Sequence, residues 1–510
     1  MAVTGVLGVT GAAGVAGAKR LTGVLRAIGF VAAAATLAGA ETRPRYGETV
    51  EAPLLGAPVA LDPVGAKAWA DITVVGLVFD TLYSIGSDGT VQPHLAVGPP
   101  AFDPARTTAH IALRHGVLFH DATPMTPGDV ADSLERVRGK IPWLLAPVTA
   151  VRASGDGVDL VLRVPSVDLA TLLALPQTAI TRRGQAPAAA RPIGSGPFAV
   201  DSFDPANRKL TLKAFDDHFA GRPYLDRLEL AWFDTPDGEV RRFETGVAQL
   251  SARGAAAFAG ARPKYAASEV EGPPALLLFV GFGKQHGVVT NDPGFRSAFD
   301  LALDRGALAT ITTGERTLPT RLPLPIEAGG AMLDPAGRVG DATAAQAQLA
   351  DAARRVPVLA ASNRAALKLA IIFDQTRPDD REIALRVSRA LDKLGIGFTI
   401  EAVAAGQLRD RAAHGTCDLW IGQLAAPITV AAAWWGAAFA AGHDDWAQTR
   451  LAAGAIDGAA AAAAFARRLP IVPLMFRSLL VWHRADVRGL GFDASGRPGL
   501  ADLYWVKGKP

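Results

Sequence analysis

Residues 366–403 constrain the fold more than any other stretch. "ALKLAIIFD" (366–374) reads as a buried strand, "DREIALRVSRALDKLG" (380–395) as a helix closed by Gly395, and "GFTIEAV" (397–403) as the next strand. Two strands joined through a helix run parallel, and such a crossover is right-handed. The chain is therefore predicted to build an α/β architecture on a mostly parallel sheet.

Other segments add to this frame. "LLGAPVALDPVGA" (54–66) is a short strand followed by a turn at Asp62-Pro63, and 68–85 has apolar residues at helical spacing. Residues 106–121 alternate like two strands around Arg114-His115-Gly116. Residues 126–139 form a helix, with Thr126 as N-cap, Pro127 in the first position and Asp129 in the first turn. Strands are expected at 155–165, from 208, at 226–234 and at 469–476, with helices at 168–176 and 293–311.

The N-terminal stretch admits two readings. Gly8, Gly11 and Gly14 have the spacing of a phosphate-binding turn. However, that reading expects a second strand ending in an acidic residue about 20 positions on, and no acidic residue occurs before Glu41 and no β-branched strand precedes it. Lys19, Arg20 and Arg26 are followed by an uncharged run at 27–40 ending in Ala38-Gly39-Ala40. That order is a secretory signal with cleavage between Ala40 and Glu41, or else an uncleaved membrane anchor. Translation starting near Val15 would shorten its long front.

The leader carries three basic and no acidic residues, so the formal charge of +3 falls to zero without it. The basic balance therefore gives no case for nucleic-acid binding. About 470 mature residues imply two or three domains. No mature stretch reaches the roughly 18 consecutive apolar residues of a membrane span. The single cysteine, Cys417, reads as a small buried residue rather than a nucleophile. "LAGA" (37–40) has the form of a lipoprotein box with alanine in place of the lipidated cysteine, which points to a soluble periplasmic protein.

"FDTLYSIGSDGTVQPHLA" (79–96), "ALRHGVLFHDATPMTPGDVADSLERV" (112–137), "RPIGSGPFAVDSFDP" (191–205), "GRPYLDRLEL" (221–230), "FRSAFDLALDRGAL" (295–308) and "RLPIVPLMF" (468–476) occur in this order. Together they resemble the extracellular solute-binding proteins of the peptide/nickel class (family 5), the receptors of ABC importers. Ala122 stands where the family's signature usually has glycine. The family's A-D-Y-x-x-P stretch, whose aspartate pairs with a peptide's α-amino group, is replaced by "LAAP" (424–427), and 326–365 is shortened.

The resemblance implies a bilobal periplasmic-binding-protein fold, type II-like, with an inserted extra subdomain and a two-crossing hinge. Lobe I is expected at 41–62, 178–275 and 468–510, the inserted subdomain at 63–177 and lobe II at 276–467. It further implies a monomeric receptor that closes on a peptide-like or other small polar organic ligand and docks on an inner-membrane ABC permease. The departures at 326–365 and 424–427 keep open a non-transport descendant acting as sensor or scaffold.

No catalytic residue, metal ligand or cofactor is expected. "GSG" (194–196) is not a nucleophile elbow, and no H-E-x-x-H occurs. His110, His115 and His120 lie five apart on an expected hairpin and take surface and turn roles, while Asp304-Arg305 reads as a helix-end charge pair. Candidate ligand-binding residues are the aromatic and polar groups at lobe edges: Tyr83, Trp420, Gln423, Trp434, Trp435 and Phe476. One of Trp434 and Trp435 is expected to face the cleft.

Overall fold

The computed structural model describes residues 44–506 apart from 166–168, 186–190, 234–235, 253–262, 312–316 and 378. The expected leader and the expected cleavage point between Ala40 and Glu41 lie outside the described residues. Among the described residues no helix is long and apolar enough to cross a membrane.

The β-α-β unit forms where the sequence predicts it. Strands Lys368–Asp374 and Gly397–Val403 pair in parallel across helix Asp380–Leu394. That helix buries Ile383, Val387, Leu391 and Leu394 along one face, each large side chain contributing about 1.5–3 kcal/mol. It ends because Gly395 adopts φ 70°, letting the Ile396 N–H return to the Leu391 carbonyl. The sheet around it is mixed, not mostly parallel as expected. Its order is Thr317–Pro319, Ile471–Arg477, Leu276–Phe282, Leu419–Ala425, Lys368–Asp374 and Gly397–Val403. The first four run antiparallel to one another, because distant chain segments rather than crossovers supply them, and Leu419–Ala425 pairs in parallel with Lys368–Asp374.

A second sheet has the order Thr49–Pro53, Arg227–Ala231, Lys209–Ala214 and Phe198–Asp204, with only the first pair parallel. A third, antiparallel throughout, is formed by Ala101–Phe102, Thr108–Ala112, Gly157–Leu162 and Val148–Ser154. Helix Pro127–Lys140 packs on it, and Thr126 and Asp129 cap that helix reciprocally. One apolar core runs on from Leu82–Ile180 into 426–476.

Two expected helices are shorter than their apolar patterns. The 68–85 helix stops at Val78, where the Gly196 N–H takes the Val78 carbonyl and the chain turns into strand Tyr83–Ile85. The 293–311 helix breaks into Pro293–Ala302 and Arg305–Ala309. Asp304 caps the second piece, and Arg305 does not pair with it. The buried Arg305 guanidinium instead binds Asp300 and the carbonyls of Thr320 and Pro473. Of the expected 106–121 hairpin only Thr108–Ala112 is a strand.

Candidate ligand-binding site

A cavity of about 580 Å³ lies between segments 59–177 and 374–448. That volume is in the range of small-molecule sites. Three aromatic rings wall it, Trp143, Phe279 and Trp420, and small residues such as Gly422, Gly436, Ala437 and Ala440 complete the lining. Each ring rests on a glycine: Trp420 on Gly281, Phe279 on Gly422 and Trp143 on Gly436, where a Cβ would overlap the ring. Phe279 and Trp420 meet edge to face at 5.0 Å. The glycines let the rings lie close to backbone, and the space in front of them stays open.

The polar lining is mostly self-paired. Asp71, at the third position of helix Trp69–Val78, is fully buried. Its carboxylate accepts the backbone N–H groups of Val59 (2.7 Å), Ala60 (3.0 Å), Lys67 (3.3 Å) and Ala68 (3.2 Å). Arg409, from helix Ala405–His414, reaches it from the far side of the cavity and also donates to the Gly65 carbonyl at 3.1 Å. The Thr376 hydroxyl accepts the Ala57 N–H at 3.0 Å, a second link between the two sides.

Arg377 stands between two carboxylates, Asp374 Oδ2 at 3.2 Å and Asp380 Oδ2 at 3.1 Å. One guanidinium cannot offset two buried carboxylates. Burial, aided by the Asp374 and Asp379 charges and opposed by Arg377 and Arg477, pushes Asp380 up to about 7. A carboxyl raised on folding favours the native state below its unfolded value near 4 and loses that advantage as pH rises to 7. Stability is therefore expected to fall across that window by up to about 1.4 kcal/mol per pH unit from this group. Asp380→Asn mimics the protonated form and is expected to flatten the slope. Denaturation of both proteins between pH 4 and 8 checks this, and parallel slopes would refute it.

Trp420 and Gln423, on strand Leu419–Ala425, line the cavity. Their Nε1 and Oε1 atoms lack hydrogen-bond partners among the described residues. The other four sequence candidates lie off its wall. Trp434 is 0% exposed, donates to the Pro427 carbonyl at 3.0 Å and meets Phe476 edge-on at 5.1 Å. Trp435 packs against Phe439 and Phe465, and Phe476 is buried beneath Trp434. Neither member of the tryptophan pair faces the cavity. Tyr83 is buried, its hydroxyl donating to the Gly98 carbonyl at 3.0 Å.

Sequence reasoning missed Lys67, Trp143, Phe279, Arg377 and Arg409. No local pattern marks them, since their partners are distant in the chain. The glycines at 281, 422 and 436 were the available signal.

The residues expected to have no chemical role are engaged structurally. Ser195 is fully buried and donates to Asp80 at 2.8 Å. The Cys417 thiol is buried and pushed up to about 11, which keeps it a thiol at neutral pH. His110 pairs with Asp159 at 2.7 Å, His120 bonds the Gly196 carbonyl at 2.9 Å, and His115 is exposed, so the three do not converge. Asp300 binds Arg305 and Arg321.

Residues 90–443, well over half of the chain, match the family model described as bacterial extracellular solute-binding proteins, family 5 middle. Among curated relatives, the uncharacterized protein YhjP of Bacillus subtilis is 32% identical over 190 residues, covering 36% of this chain and 32% of that protein. A putative ABC transporter peptide-binding protein of Brucella ovis is 26% identical over 232 residues, covering 42% of this chain and 44% of its own length. The chain thus spans about a third to under half of these two relatives. The fold is that of DppA from Helicobacter pylori, solved in complex with the peptide STSA, at a TM-score of 0.76 and 17% identity over 91% of this chain and 99% of that one. By the extent of its family match and by its fold, the protein belongs to the bacterial extracellular solute-binding proteins, family 5.

Proposed function

We propose that this protein is the exported receptor of an ABC importer, capturing a small organic solute between its lobes and delivering it to a membrane permease. The cavity carries this reading: about 580 Å³, walled by three aromatic rings and bridged by Arg409–Asp71. Lobe I is taken as 41–62, 178–275 and 468–510, the inserted subdomain as 63–177 and lobe II as 276–467. The ligand sits where 63–177 meets lobe II. Closure excludes water and strengthens each polar contact made there. The cavity must bind solute better in the closed state, since equal affinity shifts no population. The chain acts without catalysis, as a monomer in the periplasm, after removal of residues 1–40. The burial of Ser195 and Cys417 supports the first of these points.

Native mass spectrometry of protein taken from its own periplasmic fraction tests the reading. The expected spectrum shows a chain beginning at Glu41 with a small-solute adduct. Ala440→Phe, which adds a ring at an exposed cavity-lining position, is expected to lose that adduct. An adduct of unchanged occupancy in the variant would place the ligand elsewhere, and a full-length chain in the cytoplasm would refute export.

A further inference from the structure

The charges around the cavity do not balance locally. Asp71 has no oxygen left for Lys67, since four backbone N–H groups and Arg409 occupy its carboxylate. Asp374 is taken by Arg377, the Thr376 N–H and the Thr376 hydroxyl. Asp444, at the other end, is taken by Arg468 and the Trp446 N–H. Lys140 and Asp445 are both exposed lining residues. Lys67 is left open to the cavity with no side-chain hydrogen bond or ion pair among the described residues. Crowding by protein and the nearby Arg409 guanidinium push its pKa down and outweigh the opposing Asp71 carboxylate, so a further anion brought beside it favours the ammonium. The rest of the wall combines aromatic and apolar residues with the uncharged polar groups of Gln177, Gln423 and Gln448 and the imidazole of His443.

We propose that the captured solute is an organic anion: an acid group paired with Lys67, on a flat apolar body laid against Trp420 and Trp143. This rests on the receptor reading above. A cationic amine finds Asp445 among the exposed lining residues and the neutral Gln423 Oε1, whereas Asp374 and Asp444 are already held by arginines. An apolar face suits aromatic stacking, and an ammonium–acid pair fixes orientation.

A matched pair of fluorescent probes tests the charge and the site separately. 8-Anilinonaphthalene-1-sulfonate and N-phenyl-1-naphthylamine share one aromatic body, and only the first carries an acid. The wild-type protein is expected to bind the sulfonate at one saturable site, at least tenfold tighter than the neutral amine. Lys67→Met is expected to abolish that difference, Lys67→Arg to keep it, and Ala440→Phe to weaken both probes. Equal wild-type affinities, or a preference that survives Lys67→Met, would overturn the proposal. If both probes then still respond to Ala440→Phe, the cavity remains a ligand site and the receptor reading stands. If neither probe binds in a way that Ala440→Phe alters, the proposal fails, and the receptor reading of this cavity fails with it.

Discussion

Trp434→Ala is expected to destabilise the protein by about 3–5 kcal/mol, the range for removing a large aromatic side chain from a core. The indole is 0% exposed, its N–H is bonded to the Pro427 carbonyl and its ring is edge-on to Phe476. Alanine would leave a cavity lined by Phe476 and a carbonyl without its donor. Trp435→Ala is expected to cost a similar amount through lost packing on Phe439 and Phe465. Urea denaturation of the ligand-free proteins measures this. Unchanged stability with weakened solute binding would return one of the pair to the cleft.

The sequence contained a sign of this burial. "AAAWWGAAFAA" (431–441) has no polar residue on any face, and a helix apolar all round puts its large side chains into the core; here only small residues such as Ala437 and Ala440 are left to the cavity. The expectation that one of Trp434 and Trp435 faces the cleft rests instead on their expected place at a lobe edge.

Local order was legible where one segment carries its own pattern. The helix at 380–394 and its flanking strands match the predicted spans to within two residues. Sheet direction was not legible, because Leu276–Phe282 and Ile471–Arg477 enter as antiparallel neighbours from remote parts of the chain. The cavity shows the same division. Trp420 and Gln423 were found on their strand, whereas Trp143 belongs to the wall because its ring rests on Gly436, nearly three hundred residues later.

Asp71 is where the second large effect is expected. Asp71→Ala removes the acceptor of four backbone N–H groups and the partner of Arg409 together. Breaking a buried charge pair on one side costs about 3–5 kcal/mol. The loop at 59–68, one edge of the cavity, would lose its anchor. Arg409→Met is expected to behave differently. The four N–H groups still stabilise the carboxylate, so most of the stability remains, and only the link across the cavity is lost. Thermal melts of the two variants separate these roles. Equal destabilisation would mean that Arg409 supports the fold and not closure.

Closure around a bound solute is measured most directly by small-angle scattering. Protein stripped of solute by unfolding and refolding is compared before and after addition of the solute recovered from native preparations. The radius of gyration is expected to fall on addition for the wild type. Arg409→Met is expected to start more expanded and to need more solute for the same change. Tight binding with no change in the radius of gyration, in either protein, would contradict capture by lobe closure.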